Sequence, residues 1–98
     1  MKTISSDEFY QKTKQSNLTI IDVREKNEFV NGHIPNSTNL PLTTLAFNTK
    51  SLSKDTEYYL VCASGSRSNM AASALSKLGY NVTNVMGGVS TWKGALIR

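Results

Sequence analysis

The residue types best able to do chemistry gather in one stretch of this 98-residue chain, Val61-Cys62-Ala63-Ser64-Gly65-Ser66-Arg67-Ser68. It lies between the strongest strand signal, Glu57-Tyr58-Tyr59-Leu60-Val61, and the strongest helix signal, over residues 67–78. In a parallel α/β sheet, ligands bind at the carboxyl ends of strands. A loop that closes onto a helix N-terminus presents unpaired backbone N–H groups and the positive end of the helix dipole. Ala63, Ser64, Gly65 and Ser66 are small enough for the backbone to curl around a point, and such a nest favours an anion. With Cys62 at its mouth, the anion can be the cysteine's own sulfur. The thiolate then forms well below the free-thiol value of about 8.5. Arg67 adds a permanent charge close by. A lone cysteine at a strand end is otherwise a small buried hydrophobe, and it is the loop, the arginine and the helix behind it that point to reactivity.

Cys62 is the only cysteine. This excludes an internal disulfide, a zinc site of the Cys-pair type and a resolving thiol on the same chain. Any partner thiol comes from another molecule.

The elements that must position the loop alternate along the chain. Ser5 and Glu8 form a capping box with Ile4 and Phe9 as a hydrophobic staple, so a helix runs from there to about residue 14. Residues 18–23 read as a buried strand of the parallel kind. A short polar helix covers residues 26–30, and Gly32-His33-Ile34-Pro35-Asn36 is a turn. Residues 38–40 are a short strand, 42–48 a weak helix, 50–55 a polar loop and 57–61 a strand. The helix over 67–78 has Ala71, Ala74, Leu75 and Leu78 on its apolar face and Gly79 as its C-terminal cap. A strand over 81–85 is broken by Gly87-Gly88, and residues 89–96 close a last helix with Trp92 on its buried side. This alternation with short loops predicts an α/β sandwich around a mostly parallel sheet, one domain over residues 1–98.

Composition narrows the function classes. Hydrophobic residues make up 39% of the chain and are spread along it, which excludes disorder. No window approaches the ~18 apolar residues of a membrane span. The first residues turn acidic at Asp7-Glu8 before any apolar run, unlike a signal peptide, so the expected location is the cytoplasm. The net charge of +4 comes from 11 Lys and Arg against 7 Asp and Glu. These basic residues are scattered and not interleaved with aromatics, which argues against nucleic acid. A monomer or weak dimer is expected.

Three blocks of sequence together resemble a rhodanese-type sulfurtransferase domain of the short, single-domain kind. They are Asp22-Val23-Arg24-Glu25 with Glu28-Phe29, then Gly32-His33-Ile34-Pro35 with Asn36, Asn39 and Pro41, then Cys62 to Ser68 followed by Gly79-Tyr80, Gly87-Gly88 and Trp92. The resemblance implies a rhodanese-like three-layer sandwich with a five-stranded mostly parallel sheet flanked by helices, and a short edge strand at Thr3-Ile4. It implies that Cys62 carries sulfur as a persulfide held by the amides of Ala63, Ser64, Gly65, Ser66 and Arg67. The donor is thiosulfate or another persulfide, and the acceptor is cyanide or a thiol, small or on a protein. No metal or organic cofactor is called for. A noncatalytic persulfide carrier or docking module is the alternative.

Four residues separate Cys62 from Arg67, whereas the phosphatases and arsenate reductases of this fold have five and a His before the cysteine, here Val61. Both departures favour sulfur over oxyanion chemistry. The two-domain thiosulfate enzymes commonly carry cations at positions matching Glu28 and Ala63 or Ser64; none is present here, so weak thiosulfate use is expected. Asp22, Arg24, Glu28 and His33 are read as scaffold near the site, with Asp22 bonding amides near the loop and Arg24 pairing with Glu28 four residues on. Arg67 either touches substrate or faces a carboxylate and stiffens the loop. Ser64, Ser66 and Ser68 are small polar fillers first, and Ser68 is a helix-capping candidate.

Overall fold

The computed structural model describes residues 1–98, the side chain of Ala46 apart. Five short strands form one sheet: β1 (Lys2–Ile4), β2 (Thr19–Asp22), β3 (Ser37–Asn39), β4 (Glu57–Val61) and β5 (Asn81–Val85). Their order across it is β1-β5-β4-β2-β3, and every pairing is parallel. The helices are α1 (Ser6–Gln15), α2 (Lys26–Val30), α3 (Leu45–Asn48) and α4 (Ser66–Lys77). This is the α/β sandwich that alternation predicts, and the first strand lies at the edge as the resemblance implies.

The central strand shows why the sheet is covered on both sides. Along β4 the side chains alternate. Tyr58 and Leu60, and Cys62 beyond the strand end, join a core with Ile21, Ala71, Ala72 and Leu75. Tyr59 and Val61 join a second core with Ile4, Phe9, Ile34 and Val85. Burying each such aliphatic side chain stabilises the fold by about 1.5–3 kcal/mol. Cys62 therefore faces α4, the helix that starts just after it. At the start of α1, Ser5 Oγ accepts the Glu8 amide at 3.1 Å, and Ile4 and Phe9 are both buried.

The elements depart from sequence expectation in three places. The buried face of α4 is Ser68, Ala71, Ala72 and Leu75, while Ala74 and Leu78 are exposed. The helix is rotated so that its small residues meet the sheet and a polar serine lies beneath the loop. Residues 42–48 split into a 3₁₀ turn, Leu42–Thr44, and α3, and a second turn, Thr49–Ser51, begins the polar loop. The last helix does not form: a single 3₁₀ turn, Gly88–Thr91, ends at Trp92, whose ψ of 127° is extended. Gly94 lies against the Trp92 indole, where a Cβ would come within 2.7 Å of the ring. The tail then pairs antiparallel with the turn, His33 and Ile97 exchanging backbone hydrogen bonds of 2.8 and 2.9 Å. Trp92 is half-buried, packed on Phe9 and Tyr10. Among the described residues no helix is long and apolar enough to cross a membrane.

Because all strands run the same way, their carboxyl ends share one edge. One cross-link there is a buried ion pair. Arg24 Nε and Nη2 donate to Asp22 Oδ2 at 3.0 and 2.8 Å, and Nη2 also donates to the Gly32 carbonyl at 2.8 Å. The Asp22 and Arg24 side chains are 0% and 9% exposed. Asn39 Nδ2 bridges the carbonyls of both residues at 3.0 and 2.8 Å. Removing one partner of such a pair leaves a buried charge unanswered. Asp22→Ala is expected to lower unfolding free energy by about 3–5 kcal/mol, read from urea denaturation at pH 7; a change below 1 kcal/mol, roughly the size of a surface ion pair, would show that the pair is not isolated from water.

Candidate active site

The loop after β4 curls back on its own first side chain. Gly65, with φ of 106°, stands at the N-cap of α4 and points its amide at Cys62 Sγ at 3.0 Å. An L side chain there would be strained and would bring Cβ to 3.1 Å from the Gly87 amide. Ser68, one turn into the helix, places Oγ 3.3 Å from the same sulfur. Burial works to raise the Cys62 pKa; the Ser68 hydroxyl and the amides of Ser68, Gly65 and Ser64 outweigh it and hold the thiol below its ordinary value.

The cradle has a floor from a distant part of the chain. The Cys62 carbonyl accepts the Val89 amide at 2.8 Å, and the Ala63 carbonyl accepts the Ser90 amide at 2.9 Å and the Ser90 hydroxyl at 2.5 Å. Gly88 sits against these carbonyls with φ of 54°, and a Cβ there would lie 2.1 Å from the Cys62 oxygen. Gly87-Gly88 thus does more than end β5: Gly88 lets the last turn press against the loop.

Of the loop residues, Gly65 bonds the sulfur through its backbone, while among the described residues the amides of Ala63, Ser66 and Arg67 make no hydrogen bond to it. Ser64 and Ser66 are exposed and Ala63 half-buried, at the mouth of the curl. Cys62 itself is 0% exposed, more enclosed than a partly open thiol, because Gly65 and Ser68 close over it.

Arg67 and Glu28 form a two-pronged ion pair, Nη1 to Oε1 at 2.7 Å and Nη2 to Oε2 at 2.9 Å. Arg67 therefore faces a carboxylate, one of its two anticipated roles. Arg24 does not pair with Glu28; it lies before the first turn of α2 and folds back onto Asp22 instead. Asp22 accepts the Arg24 amide at 2.9 Å, and among the described residues it bonds no amide of the 62–67 loop. Glu28 also accepts the Glu25 amide at 3.1 Å, closing the capping box that starts α2. His33 stacks on Phe29, with ring centroids 3.8 Å apart and Nδ1 2.9 Å from the Phe29 carbonyl. It braces the turn, and among the described residues no hydrogen bond links it to the loop.

The fold and the site define a class: a parallel α/β sandwich whose central strand delivers one buried, acidified cysteine to a helix start, where a backbone amide and a serine hydroxyl face its sulfur. A family model described as rhodanese-like domain matches residues 5–95, and the chain belongs to that family. It is 34% identical over 95 residues to the "Thiosulfate sulfurtransferase GlpE" of Shewanella oneidensis, covering 96% of this chain and 94% of that one. It is 39% identical over 93 residues to the "Putative sulfur carrier protein YrkF" of Bacillus subtilis, covering 93% of this chain and half of the relative's length. A crystal structure of a rhodanese-related protein from Thermoplasma volcanium superposes with a TM-score of 0.90 at 35% identity, over 99% of this chain and 98% of that one.

The Glu28–Arg67 pair makes a pH signature. Arg67 is the main cause that lowers the Glu28 pKa from 4.5 to about 2. A depressed carboxyl pKa contributes stability that is full above the unfolded value and fades as pH falls through the folded one. The window is therefore pH 4.5 down to about 2. Its size is modest, because the two side chains are 34% and 32% exposed and solvent screens them; about 1 kcal/mol is expected. Urea unfolding followed from pH 5 to pH 2 should show a shallower acid decline for Glu28→Gln than for the parent protein, and equal slopes would show that the pair is not stabilising.

Proposed function

We propose that this chain is a sulfurtransferase in which Cys62 carries sulfur as a persulfide. The carrying observation is the enclosed sulfur with Gly65 N–H at 3.0 Å and the Ser68 hydroxyl at 3.3 Å, at the end of a central parallel strand. Such donors favour a sulfur anion, both as nucleophile and as leaving group. In loading, the Cys62 thiolate attacks the outer sulfur of a donor persulfide R–S–SH. The S–S bond of the donor breaks, R–S⁻ leaves with the electron pair, and Cys62–S–SH remains. In discharge, an acceptor thiolate R′–S⁻ attacks that outer sulfur, giving R′–S–SH and restoring the Cys62 thiolate. This is covalent catalysis by double displacement. Family membership and the sulfurtransferase name of the Shewanella relative support the reading. A carrier that hands its sulfur to one docked partner uses the same Cys62 chemistry, and the name of the Bacillus relative favours that second reading.

The donor class follows from charge. Thiosulfate is a dianion that must meet a thiolate, and a free cation beside the sulfur would reduce their repulsion. Arg67 is engaged by Glu28, and Ala63 and Ser64 carry no charge. A persulfide, singly charged at most at its reacting end, suits this site better than thiosulfate. The proposed scheme uses no metal or organic cofactor, and its partners are a small-molecule donor and a thiol acceptor, small or on a protein.

Incubation with a persulfide donor under non-reducing conditions is expected to add about 32 Da to the protein, a mass removed by cyanide and never gained by Cys62→Ser. Sulfur transfer persisting in Cys62→Ser would overturn the assignment.

Glu28→Gln leaves Arg67 charged and uncompensated. It is expected to raise thiosulfate kcat/KM by roughly three- to tenfold, the scale of one charge-assisted contact. The gain should shrink with added salt. Unchanged thiosulfate kcat/KM in a folded Glu28→Gln protein would show that side-chain charge is not what sets donor preference.

A further inference from the structure

The Ser68 hydroxyl has one proton and three acceptors within reach. Oγ lies 3.3 Å from Cys62 Sγ, 3.2 Å from the Gly65 carbonyl and 2.5 Å from Asn84 Oδ1. Ser68 is 0% and Asn84 4% exposed, so water does not readily supply a substitute donor. Asn84 lies on β5 beside Leu60 of β4, one strand away from the cysteine. Asn84 is one of a few buried polar residues on the strands, with Asp22 and Thr83, and its partner is this hydroxyl. With Oδ1 toward Ser68, the amide oxygen is the nearest of the three acceptors and competes with the sulfur for the one proton. The two ends of an asparagine amide are interchanged by rotation about one bond. With Nδ2 toward Ser68, the amide donates to Oγ and the hydroxyl proton is directed to the remaining acceptors, of which a thiolate is the only charged one. Among the described residues Asn84 Nδ2 makes no hydrogen bond that the rotation would break, the one contact of the amide being Oδ1 accepting from Ser68 Oγ.

We propose that Asn84 and Ser68 are positioning residues for the reaction, Asn84 orienting the Ser68 hydroxyl so that it donates to Cys62 Sγ when the sulfur is a thiolate. On loading, negative charge moves out to the terminal sulfur, and the hydroxyl can return to Asn84 or Gly65; on discharge it meets the charge arriving at Sγ. The charged side chains that act on this end of the sheet are Arg67 of α4, Glu28 of α2, and Asp22 and Arg24 after β2. They are paired with one another. The dipoles of Ser68 and the amides are therefore the adjustable part of the sulfur's environment. The role rests on Cys62 being the reacting sulfur, but alkylation tests it without any sulfur donor, so this inference and the sulfurtransferase reading fail separately.

The test is the rate of Cys62 alkylation by iodoacetamide between pH 5 and pH 10 in the parent protein, Ser68→Ala, Asn84→Leu and the double variant. Removing a hydrogen bond to the charged form lowers the thiolate fraction at acid pH but leaves a more basic, more nucleophilic sulfur. Ser68→Ala is expected to react about threefold more slowly than the parent at the acid end and about threefold faster at the alkaline end, so the two profiles cross. Asn84→Leu should shift the same way by less, and adding it to Ser68→Ala should change nothing further, because Asn84 acts through the hydroxyl. If Asn84→Leu does not fold, Asn84→Ala takes its place. Profiles that scale by a constant factor at every pH would mean a packing role only. An Asn84 effect that survives in the Ser68→Ala background would overturn the relay.

Discussion

A negative sulfur where water does not reach must be held by donors that have little else to do. At Cys62 burial opposes the charge, and a handful of dipoles reverses the balance. The rest of the architecture can be followed outward from that requirement. A parallel sheet brings the carboxyl ends of its strands to one edge, so the cysteine can stand at the end of the most protected strand. A helix beginning four residues later supplies unpaired amides. A glycine at its N-cap bends the chain tightly enough for one of them to reach back. The small residues on the inner face of α4, Ser68, Ala71 and Ala72, let the helix lie close to the sheet, and the first of them is a donor to the sulfur.

Charge plays a different part from the one a basic sequence suggests. Two arginines stand near the site, and each is answered by a carboxylate: Arg24 by Asp22, Arg67 by Glu28. Both pairs are two-pronged, which exploits the planar guanidinium as a bracket. Arg24 ties the end of β2 to the Gly32 turn, and Arg67 ties α4 to α2. What remains facing the sulfur is a set of dipoles with little net charge. With both guanidinium groups answered, little local side-chain charge is left there to draw a charged molecule from a distance.

The parts of this arrangement that were legible in the sequence are those set by local pattern. Residues 57–61 and 81–85 are strands and 26–30 a helix with the bounds expected, because propensity and punctuation agree there. The Cys62 loop was visible as small residues between a strand and a helix. Less legible was anything decided by partners distant in sequence. Residues 89–96 have helical spacing, yet the segment is drawn down onto the Cys62 and Ala63 carbonyls and its tail pairs with His33. Arg24 and Glu28 have the spacing of a helical pair, but the helix starts after Arg24. Asn84 gave no local signal, being one of several polar residues in a strand; the clue available was that an asparagine inside an Asn-Val-Thr-Asn-Val run needs a partner. Ser68 could have been found by noting that it shares the inner helix face with Ala71, Ala72 and Leu75.

The seat that Gly88 takes beneath the Cys62 carbonyl also makes the sulfur's pocket a joint product of two remote stretches of chain. Residues 62–68 contain the curl, but the carbonyls that begin it are held by Val89 and Ser90, and β1 at the far edge pairs only with β5. The loop that encloses the sulfur is therefore held at its first two carbonyls by residues 27 positions further along the chain. The seat of the sulfur thus joins two segments distant in sequence, the loop that bears it and the turn that braces the loop from below.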